Sequence, residues 1–145
     1  SRFRQVKEIR ESGKNVIQDR TIYEDAHIFA ENLAEMNLLS ERDFNNYLSV
    51  FKLMKDFVSA PDLLIYLRAD VPTLVRQISK RGREYEAGIS IDYISKLNNK
   101  YQNWIENYKE GKLLVIDVDN LDFVEKPEDF GYILERIDAE LNGLF

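Results

Sequence analysis

The chain has 145 residues, of which 44% are hydrophobic and 32% are charged, and its formal net charge is −6. This length suits one globular domain with its own core, and the acidic balance disfavours nucleic acid or an anionic membrane as a partner. The absence of cysteine excludes disulfides and thiol catalysis, and no apolar run reaches the roughly 20 residues of a membrane span. We therefore expect a single cytoplasmic domain over residues 1–145.

The first part of the chain predicts three helices and one short strand. Residues 1–12 have the apolar spacing of an amphipathic helix, and Gly13 suits its end. The run at 15–18 predicts a short buried strand. Residues 22–37 and 40–58 then follow the helical period.

The second part alternates apolar strands with helices. The continuous apolar runs at 63–67 and 113–117 have the length of buried strands. Helices are predicted from about 70 to 81, from 90 to 111, and from 127 to about 141. Short apolar strands separated by helices predict an α/β fold in which a parallel sheet is covered by helices on both faces.

Charged residues follow each predicted strand. In an open parallel sheet, ligands bind beyond the carboxyl ends of the strands. The first strand is followed by Asp19 and Arg20, the second by residues 68–70, and the third by residues 117–119. Function and ordinary solvation explain the second and third groups equally well. Function is favoured for the first group, because further carboxylates follow it on a helix.

Asp25 and Phe29 lie four residues apart, and on a helix they would share one face. A carboxylate that reads a polar ring edge beside a flat apolar ring suits a nucleobase. The alternative interpretation is that Phe29 belongs to the core and Asp25 to the surface. The only histidine, His27, is expected to be structural or exposed.

A second charged cluster occupies residues 80–88. Arg81 and Arg83 flank a glycine there, and guanidinium groups stabilise the charge of a transferring phosphoryl group. The glycine would let such a segment close over a substrate. The alternative interpretation is a solvated helix end.

Three segments in this order resemble the deoxyribonucleoside kinase family, and most strongly its bacterial deoxyadenosine/deoxyguanosine kinases. They are DRTIYEDAHIFA at 19–30, RGREYEAG at 81–88 with the helix that follows it, and VIDVDNLDF at 115–123. The resemblance covers essentially the whole chain. It implies a three-layer, P-loop kinase-like fold with a parallel sheet between helices.

The resemblance assigns roles to the first cluster. Asp19 matches the acid that helps to hold Mg²⁺ near the phosphates. Arg20 matches the arginine near the acceptor 5′-hydroxyl, which supports the base and the incoming phosphoryl group. Asp25 matches the acid that reads the acceptor base, and Phe29 the aromatic residue that stacks on it.

The resemblance also assigns roles in the later segments. Arg81 and Arg83 match lid arginines that contact the transferring phosphates, and Glu86 matches the lid acid that binds the deoxyribose 3′-hydroxyl. Asp122 and Phe123 fall in the loop that holds the donor base.

The implied function is transfer of the γ-phosphoryl group of ATP, with Mg²⁺, to the 5′-hydroxyl of a purine deoxynucleoside by a homodimer. The chain contains no Gly-x-x-x-x-Gly-Lys-[Ser/Thr] phosphate loop, which this chemistry needs. We expect that loop, the glutamate base and the first two strands of the family sheet to lie before Ser1. The first of those strands would lie between the predicted strands at 15–18 and 63–67. The chain alone is therefore expected to be inactive and not to fold stably.

Two alternatives stay open. The first is a non-catalytic nucleotide-binding or dimerisation module, in which the aromatic-rich helices at 40–58 and 91–110 would bury a face against a second copy. A P-loop before Ser1 would favour the enzyme, and a different domain or a true start there would favour the module. A thymidylate-kinase-like enzyme would accept a nucleotide instead, but it would need more basic residues around the acceptor. Asp25 with Phe29 suits an uncharged nucleoside better.

Overall fold

The computed structural model describes residues 1–81 and 90–143. The chain forms two compact units, Ser1–Ala60 and Pro61–Phe145, so the single domain over 1–145 stays a prediction. In the described ranges, no helix is both long enough and apolar enough to cross a membrane.

The first unit is built from helices. They are α1 (Arg2–Ser12), α2 (Ile22–Glu24), a π-helix (Asp25–Ala30), α3 (Glu31–Glu35) and α4 (Glu41–Lys55). Ser40 begins α4 by accepting a hydrogen bond from the Asp43 N–H. The apolar residues of α2 and of the π-helix are buried together with one residue of α4. They are Ile22, Tyr23, Ala26, Ile28, Ala30 and, from α4, Phe51.

The predicted buried strand at 15–18 is wrong. Val16 is 50% exposed and Ile17 is 99% exposed. The sheet of the described residues has two strands, and neither comes from this segment. A strand exists only through hydrogen bonds to a neighbouring strand, and residues 15–18 have no such neighbour in the part of the chain described.

The predicted helix over 22–37 is shorter and less regular than expected. The π-helix interrupts it, and α3 ends at Glu35. Asn37 then takes a φ of +58°, and the Leu38 N–H donates to the Leu33 carbonyl at 2.9 Å, which closes the helix end. Two other predicted helices also end early: α4 ends at Lys55 and the helix predicted to reach residue 111 ends at Glu106.

The second unit contains the predicted α/β elements. They are β1 (Leu64–Arg68), α5 (Val71–Arg81), α6 (Ile91–Glu106), β2 (Leu113–Asp117) and α7 (Pro127–Asn142). The strands pair in parallel, from Leu64 opposite Leu113 to Arg68 opposite Asp117. The two predicted strands and the α/β class are confirmed.

Helices pack on both faces of this small sheet. On one face, Leu114 and Ile116 of β2 are buried in a cluster with Ile133 of α7. On the other, the Tyr66 ring of β1 stacks on the Tyr101 ring of α6, with centroids 6.1 Å apart and planes 9° apart.

The aromatic face of α6 is therefore used inside the second unit. Trp104 stands edge-on to both Tyr101 and Tyr108, and burial raises the pKa of Tyr66 on the strand beneath. One residue of the face that was expected to meet a second copy, Tyr101, therefore packs on its own sheet, and a dimer contact through this helix stays a prediction.

Candidate functional site

The loop between α1 and α2 carries Asp19 and Arg20. Thr21 begins α2 with a capping box, because its hydroxyl accepts from the Glu24 N–H and its own N–H donates to the Glu24 carboxylate at 3.0 Å. Glu24 is buried, so the turn is held from within. Arg20 has a φ of +66°, in the left-handed region that costs a non-glycine residue about 1–2 kcal/mol. Such strain is typical of functional sites.

The side chain of Arg20 lies over the ring of Phe29. Its guanidinium carbon is 4.5 Å from the ring centroid, which is a cation–π contact. The structure thus joins two residues that the resemblance assigns to the acceptor site, Arg20 near the 5′-hydroxyl and Phe29 on the base. The guanidinium covers one face of the Phe29 ring.

The π-helix carries both Asp25 and Phe29. A π-turn holds one residue more than an α-turn and is frequent at functional sites. Ala26, Ile28 and Ala30 of this segment are buried, whereas Asp25 and Phe29 are only partly buried. The irregular segment therefore anchors its apolar side in the core and leaves the two predicted base-binding residues accessible.

Arg2 connects the residues of this cluster, although nothing in the sequence marked it as a site residue. Its Nε lies 2.9 Å from Oδ2 of Asp25, and one of its terminal nitrogens donates to the Asp19 carbonyl at 3.0 Å. Arg2 thus fixes the Asp25 carboxylate and the backbone of the Asp19–Arg20 loop at once. Spacing gave no signal for it, because Arg2 lies 23 positions before Asp25 on a helix with several exposed charges.

Helix α4 packs against the segment that carries Asp25 and Phe29. Phe51 contacts the rings of Tyr23 and His27, at 6.3 and 5.5 Å between centroids. This ring contact gives His27 a packing role, as expected. Tyr47 lies one turn before Phe51, and its pKa is raised by burial first and by the Asp25 charge second. The Asp25 carboxylate therefore lies in a setting that several side chains define.

Asp19 is exposed and provides one carboxylate to this region. Among residues 1–81 and 90–143, no three His, Cys, Asp or Glu side chains come together as a metal site. Mg²⁺ in nucleotide enzymes is usually held by one or two carboxylates together with phosphate oxygens and water. Asp19 fits such an open site as one ligand, and the described residues do not build a closed one.

The carboxyl ends of β1 and β2 form an ion network instead of an open site. The Arg68 guanidinium contacts three carboxylates, those of Asp70, Asp117 and Asp119, at 2.6, 2.7 and 3.4 Å. The charge of Asp70 is the main cause that raises the pKa of Arg68. Hydrogen bonds lower the pKa of Asp119, the first being that from the Asp70 N–H at 2.8 Å.

This network answers the question that the sequence left open for the second and third strands. The four charged groups contact one another. Three carboxylates and one guanidinium give the cluster a net negative charge, so it repels phosphate. Its evident role is to hold together the ends of the two strands.

The loop after β2 is a folded turn. The Asp122 carboxylate accepts from the Glu125 N–H at 3.1 Å, and the Asp122 N–H donates to Asp129 at 2.7 Å. Phe123 is half-buried against the core of the second unit. These contacts keep the loop in one shape, and a donor-base role for Asp122 and Phe123 stays a prediction.

The predicted lid is only partly within the described residues. Arg81 is exposed at the end of α5. Arg83 and Glu86 lie outside the described residues. The structure therefore brings Asp19, Arg20, Asp25 and Phe29 together and leaves the lid assignments as predictions.

Comparisons with known proteins show which family the chain resembles. The family model described as "Deoxynucleoside kinase" matches residues 1–142. The chain is 33% identical to the deoxyadenosine/deoxycytidine kinase of Bacillus subtilis (strain 168) over 138 residues, which are 94% of this chain and 64% of that protein. It is 35% identical to a deoxyguanosine kinase of the same organism over 136 residues, 91% of this chain and 61% of that protein. The chain thus spans less than two thirds of the length of these curated relatives.

A solved structure shows the same fold. The deoxyadenosine kinase from M. mycoides with bound dATP superimposes with a TM-score of 0.74 and is 29% identical, covering 94% of this chain and 68% of that chain. The same enzyme with products dCMP and a flexible dCDP bound gives a TM-score of 0.75. The predicted α/β fold of the P-loop kinase class is therefore confirmed.

Proposed function

Because this chain belongs to the deoxynucleoside kinase family, we propose that it supplies the acceptor site of an enzyme that phosphorylates a purine deoxynucleoside at the expense of ATP. The 5′-hydroxyl oxygen forms a bond to the γ-phosphorus, the bond to the β–γ bridging oxygen breaks, and ADP leaves. The hydroxyl proton goes to a general base, which we expect to be a glutamate outside these 145 residues. The names of similar proteins include deoxyadenosine, deoxyguanosine and deoxycytidine kinases, and the choice of a purine is part of the proposal.

The observation that carries this proposal is the cluster of Arg2, Arg20, Asp25 and Phe29. A nucleobase needs a ring to stack on and polar groups for its edge. Phe29 supplies the ring, and Asp25 with its Arg2 partner supplies an acceptor and a donor side by side. A guanidinium–carboxylate pair can hydrogen-bond both kinds of group on a base edge.

Base binding would release Arg20. The guanidinium now lies on the Phe29 ring, and a stacked base would take that place. Arg20 would then turn toward the 5′ end of the nucleoside, where it neutralises charge on the phosphoryl group. Occupation of the acceptor site would thus prepare the catalytic arginine.

Asp19 is proposed to supply one oxygen ligand to the Mg²⁺ that accompanies ATP. The bound ion would neutralise phosphate charge. Arg81 and Arg83 are proposed to contact the transferring phosphates, and Glu86 the 3′-hydroxyl. Asp122 and Phe123 are proposed to border the donor base. A cytoplasmic location belongs to the same proposal.

Asp25→Asn in the complete protein tests the acceptor site. The substitution keeps the size of the side chain but removes the charge that pairs with Arg2, so we expect the KM for deoxyadenosine to rise at least tenfold. Asp43→Asn, at an exposed position of α4, is the matched control and should leave KM unchanged. Equal KM values for the two variants would refute the assignment of Asp25.

Arg81→Ala tests the lid separately. Loss of a phosphate contact made in the transition state lowers kcat, and we expect a fall of at least tenfold. Lys80→Ala, the neighbouring exposed cation, is the control. An unchanged kcat in Arg81→Ala would show that the lid assignment is wrong.

A homodimer is the second part of the proposal, and helix α4 supports it. Apolar side chains recur along one side of α4 and just beyond its end and remain exposed, up to 70% for Leu53 and 87% for Phe57. Such a stripe is typical of an interface between identical chains. The full set is Tyr47, Val50, Leu53, Met54 and Phe57.

Leu53→Lys should convert the dimer to a monomer when the mass is measured by light scattering during size exclusion. Lys52→Ala, an adjacent polar position, is the control. A monomeric parent protein at micromolar concentration would refute the homodimer.

A further inference from the structure

Asp119 is the least exposed carboxylate of the ion network at the strand ends. Its side chain is 18% exposed, whereas those of Asp70 and Asp117 are each 57% exposed. Its two oxygens accept from the Asp70 N–H at 2.8 Å and from the Arg68 guanidinium at 3.4 Å. The Thr73 hydroxyl is a further hydrogen-bond partner. A carboxylate that is enclosed and bonded in this way holds its position more firmly than an exposed ion pair does.

The partners of Asp119 lie at the end of β1 and at the start of α5. Asp70 directly precedes α5, and its carbonyl accepts from the Leu74 N–H at 3.1 Å. The carboxylate of Asp70 binds Arg68 at 2.6 Å, and the carboxylate that accepts the Asp70 N–H comes from Asp119 in a different segment. A carboxylate at this end of a helix satisfies a backbone N–H and interacts favourably with the helix dipole. Asp119 therefore stabilises the beginning of α5 from outside the helix.

Asp119 itself belongs to the loop that follows β2. The residue before it, Val118, is buried and donates its N–H to the Arg68 carbonyl at 2.8 Å. Asp122 and Phe123, which are proposed to border the donor base, follow three and four residues later. Phe123 packs against the core cluster that contains Val118. Asp119 thus connects the start of the donor-base loop with the start of α5.

Helix α5 fixes the place of Arg81 relative to this anchor. The helix has 11 residues, so Arg81 lies about 15 Å along the axis from the first residue. A tilt of roughly 10° at the start would move the far end by about 2.6 Å. A displacement of about 1 Å in a catalytic arrangement can lower a rate by about 100-fold. The anchoring of the first turn therefore matters for an arginine that is proposed to contact the transferring phosphates.

We propose that Asp119 is a positioning residue of the donor site. It joins the loop that is proposed to border the donor base to the helix that carries Arg81, so that ATP meets both at a fixed separation. Asp119 would act through these two segments and not by contact with the nucleotide. The inference rests on the proposed function, because the donor roles of Phe123 and Arg81 belong to that proposal.

Asp119→Asn in the complete protein tests this link. The amide nitrogen that replaces one oxygen donates instead of accepting, so the bonds to Arg68, Asp70 and Thr73 cannot all persist. We expect the KM for ATP to rise at least fivefold, while the KM for deoxyadenosine stays within twofold of the parent value. Asp92→Asn, at an exposed position of α6, is the matched control and should leave both KM values unchanged.

Thr73→Val breaks the link on the helix side and leaves the charge of Asp119 in place. Thr73 is buried, and valine has a similar shape without the hydroxyl, so we expect the KM for ATP to rise at least threefold. Thr73→Ser retains the hydroxyl and should keep the parent KM for ATP. The urea midpoint of each variant reports whether it is folded, and the Thr73 pair decides the question if Asp119→Asn does not fold.

A purely structural role of Asp119 would give a different pattern of kinetic constants. Partial unfolding lowers the concentration of active protein, so it lowers the apparent kcat and leaves both KM values unchanged. That pattern in Asp119→Asn and Thr73→Val would overturn the proposal. A parallel rise of both KM values, or a KM for ATP within twofold of the parent value, would also overturn it.

Calorimetric binding of a non-hydrolysable ATP analogue separates this inference from the proposed reaction. We expect the complete parent protein to bind the analogue at least fivefold more tightly than Asp119→Asn does. A parent protein that binds the analogue but phosphorylates no deoxynucleoside would refute the proposed reaction, and the two binding constants would still decide the role of Asp119. Equal binding constants would refute that role whatever the reaction.

Discussion

Arg2 offers the sharpest test of the acceptor site, because only the structure connects it with the predicted residues. Arg2→Ala removes the 2.9 Å contact with Asp25 and the 3.0 Å hydrogen bond to the Asp19 carbonyl. The carboxylate would then lose the group that holds its orientation. We expect the deoxynucleoside to bind more weakly as a result.

The size of the effect follows from the contacts. A hydrogen bond to a charged group contributes about 1.5–3 kcal/mol. The two side chains are 29% and 33% exposed, so solvent screening places the loss near the lower end of that range. A loss of about 1.5–2 kcal/mol corresponds to an increase in KM of roughly 10- to 30-fold.

The assay is steady-state phosphorylation of deoxyadenosine by the complete protein at saturating ATP. We expect kcat to change less than about threefold, because loss of binding that is equal in the ground and transition states raises KM and spares kcat. Arg4→Ala, an exposed arginine of the same helix, is the matched control. A KM for Arg2→Ala equal to that of Arg4→Ala would refute the reasoning, as would a fall in kcat at constant KM.

Three further predictions concern strain, pH and stability. Arg20→Gly should abolish activity but change the free energy of unfolding by less than about 1 kcal/mol, because relief of left-handed strain offsets the lost cation–π contact. The control is Asn37→Gly, at the other described non-glycine residue with a positive φ. This variant should keep its activity. The pKa of Asp119 is lowered in the folded state, so its ionised carboxylate stabilises the fold at pH values above the pKa of an unfolded aspartate, about 3.9. The urea midpoint of the complete protein should therefore fall as the pH drops below about 4. This fall should be smaller in Asp119→Asn. The 145-residue chain alone should unfold without a sharp two-state thermal transition, and a sharp calorimetric transition from a monomer would contradict this.

The strands and the α/β class could be predicted from the sequence because the signals are local. The runs at 63–67 and 113–117 are continuous, apolar and of strand length, and both pair as expected. The run at 15–18 carries a similar local signal and still forms no strand. Pairing depends on a neighbour, and a local pattern contains no information about whether that neighbour is present.

The candidate site was only partly predictable for a similar reason. Asp25 and Phe29 were predicted because they lie four residues apart, and the structure brings them together on the π-helix. Asp19 and Arg20 were predicted because they follow the run at 15–18, and that run forms no strand in the described residues. Arg2 was missed because a contact across 23 positions leaves no mark in spacing. The π-helix was also missed, since one additional residue in a turn does not alter the apolar period visibly.

The charged strand ends show the limit of charge as a signal. From sequence, a ligand site and ordinary solvation explained Asp70, Asp117 and Asp119 equally well, and the structure shows all three in contact with Arg68. Charge patterns indicate where polar groups collect. Only distances show whether those groups satisfy one another or stay available to a ligand.

The most direct test of the proposed reaction is phosphorylation of the four deoxynucleosides by the complete protein with ATP, followed by chromatography of the products. We expect 5′-monophosphates with a higher kcat/KM for deoxyadenosine or deoxyguanosine than for the pyrimidines, and no product from the 145-residue chain alone. Phosphorylation of thymidine monophosphate in place of any deoxynucleoside, or no transfer to any of the four, would contradict it.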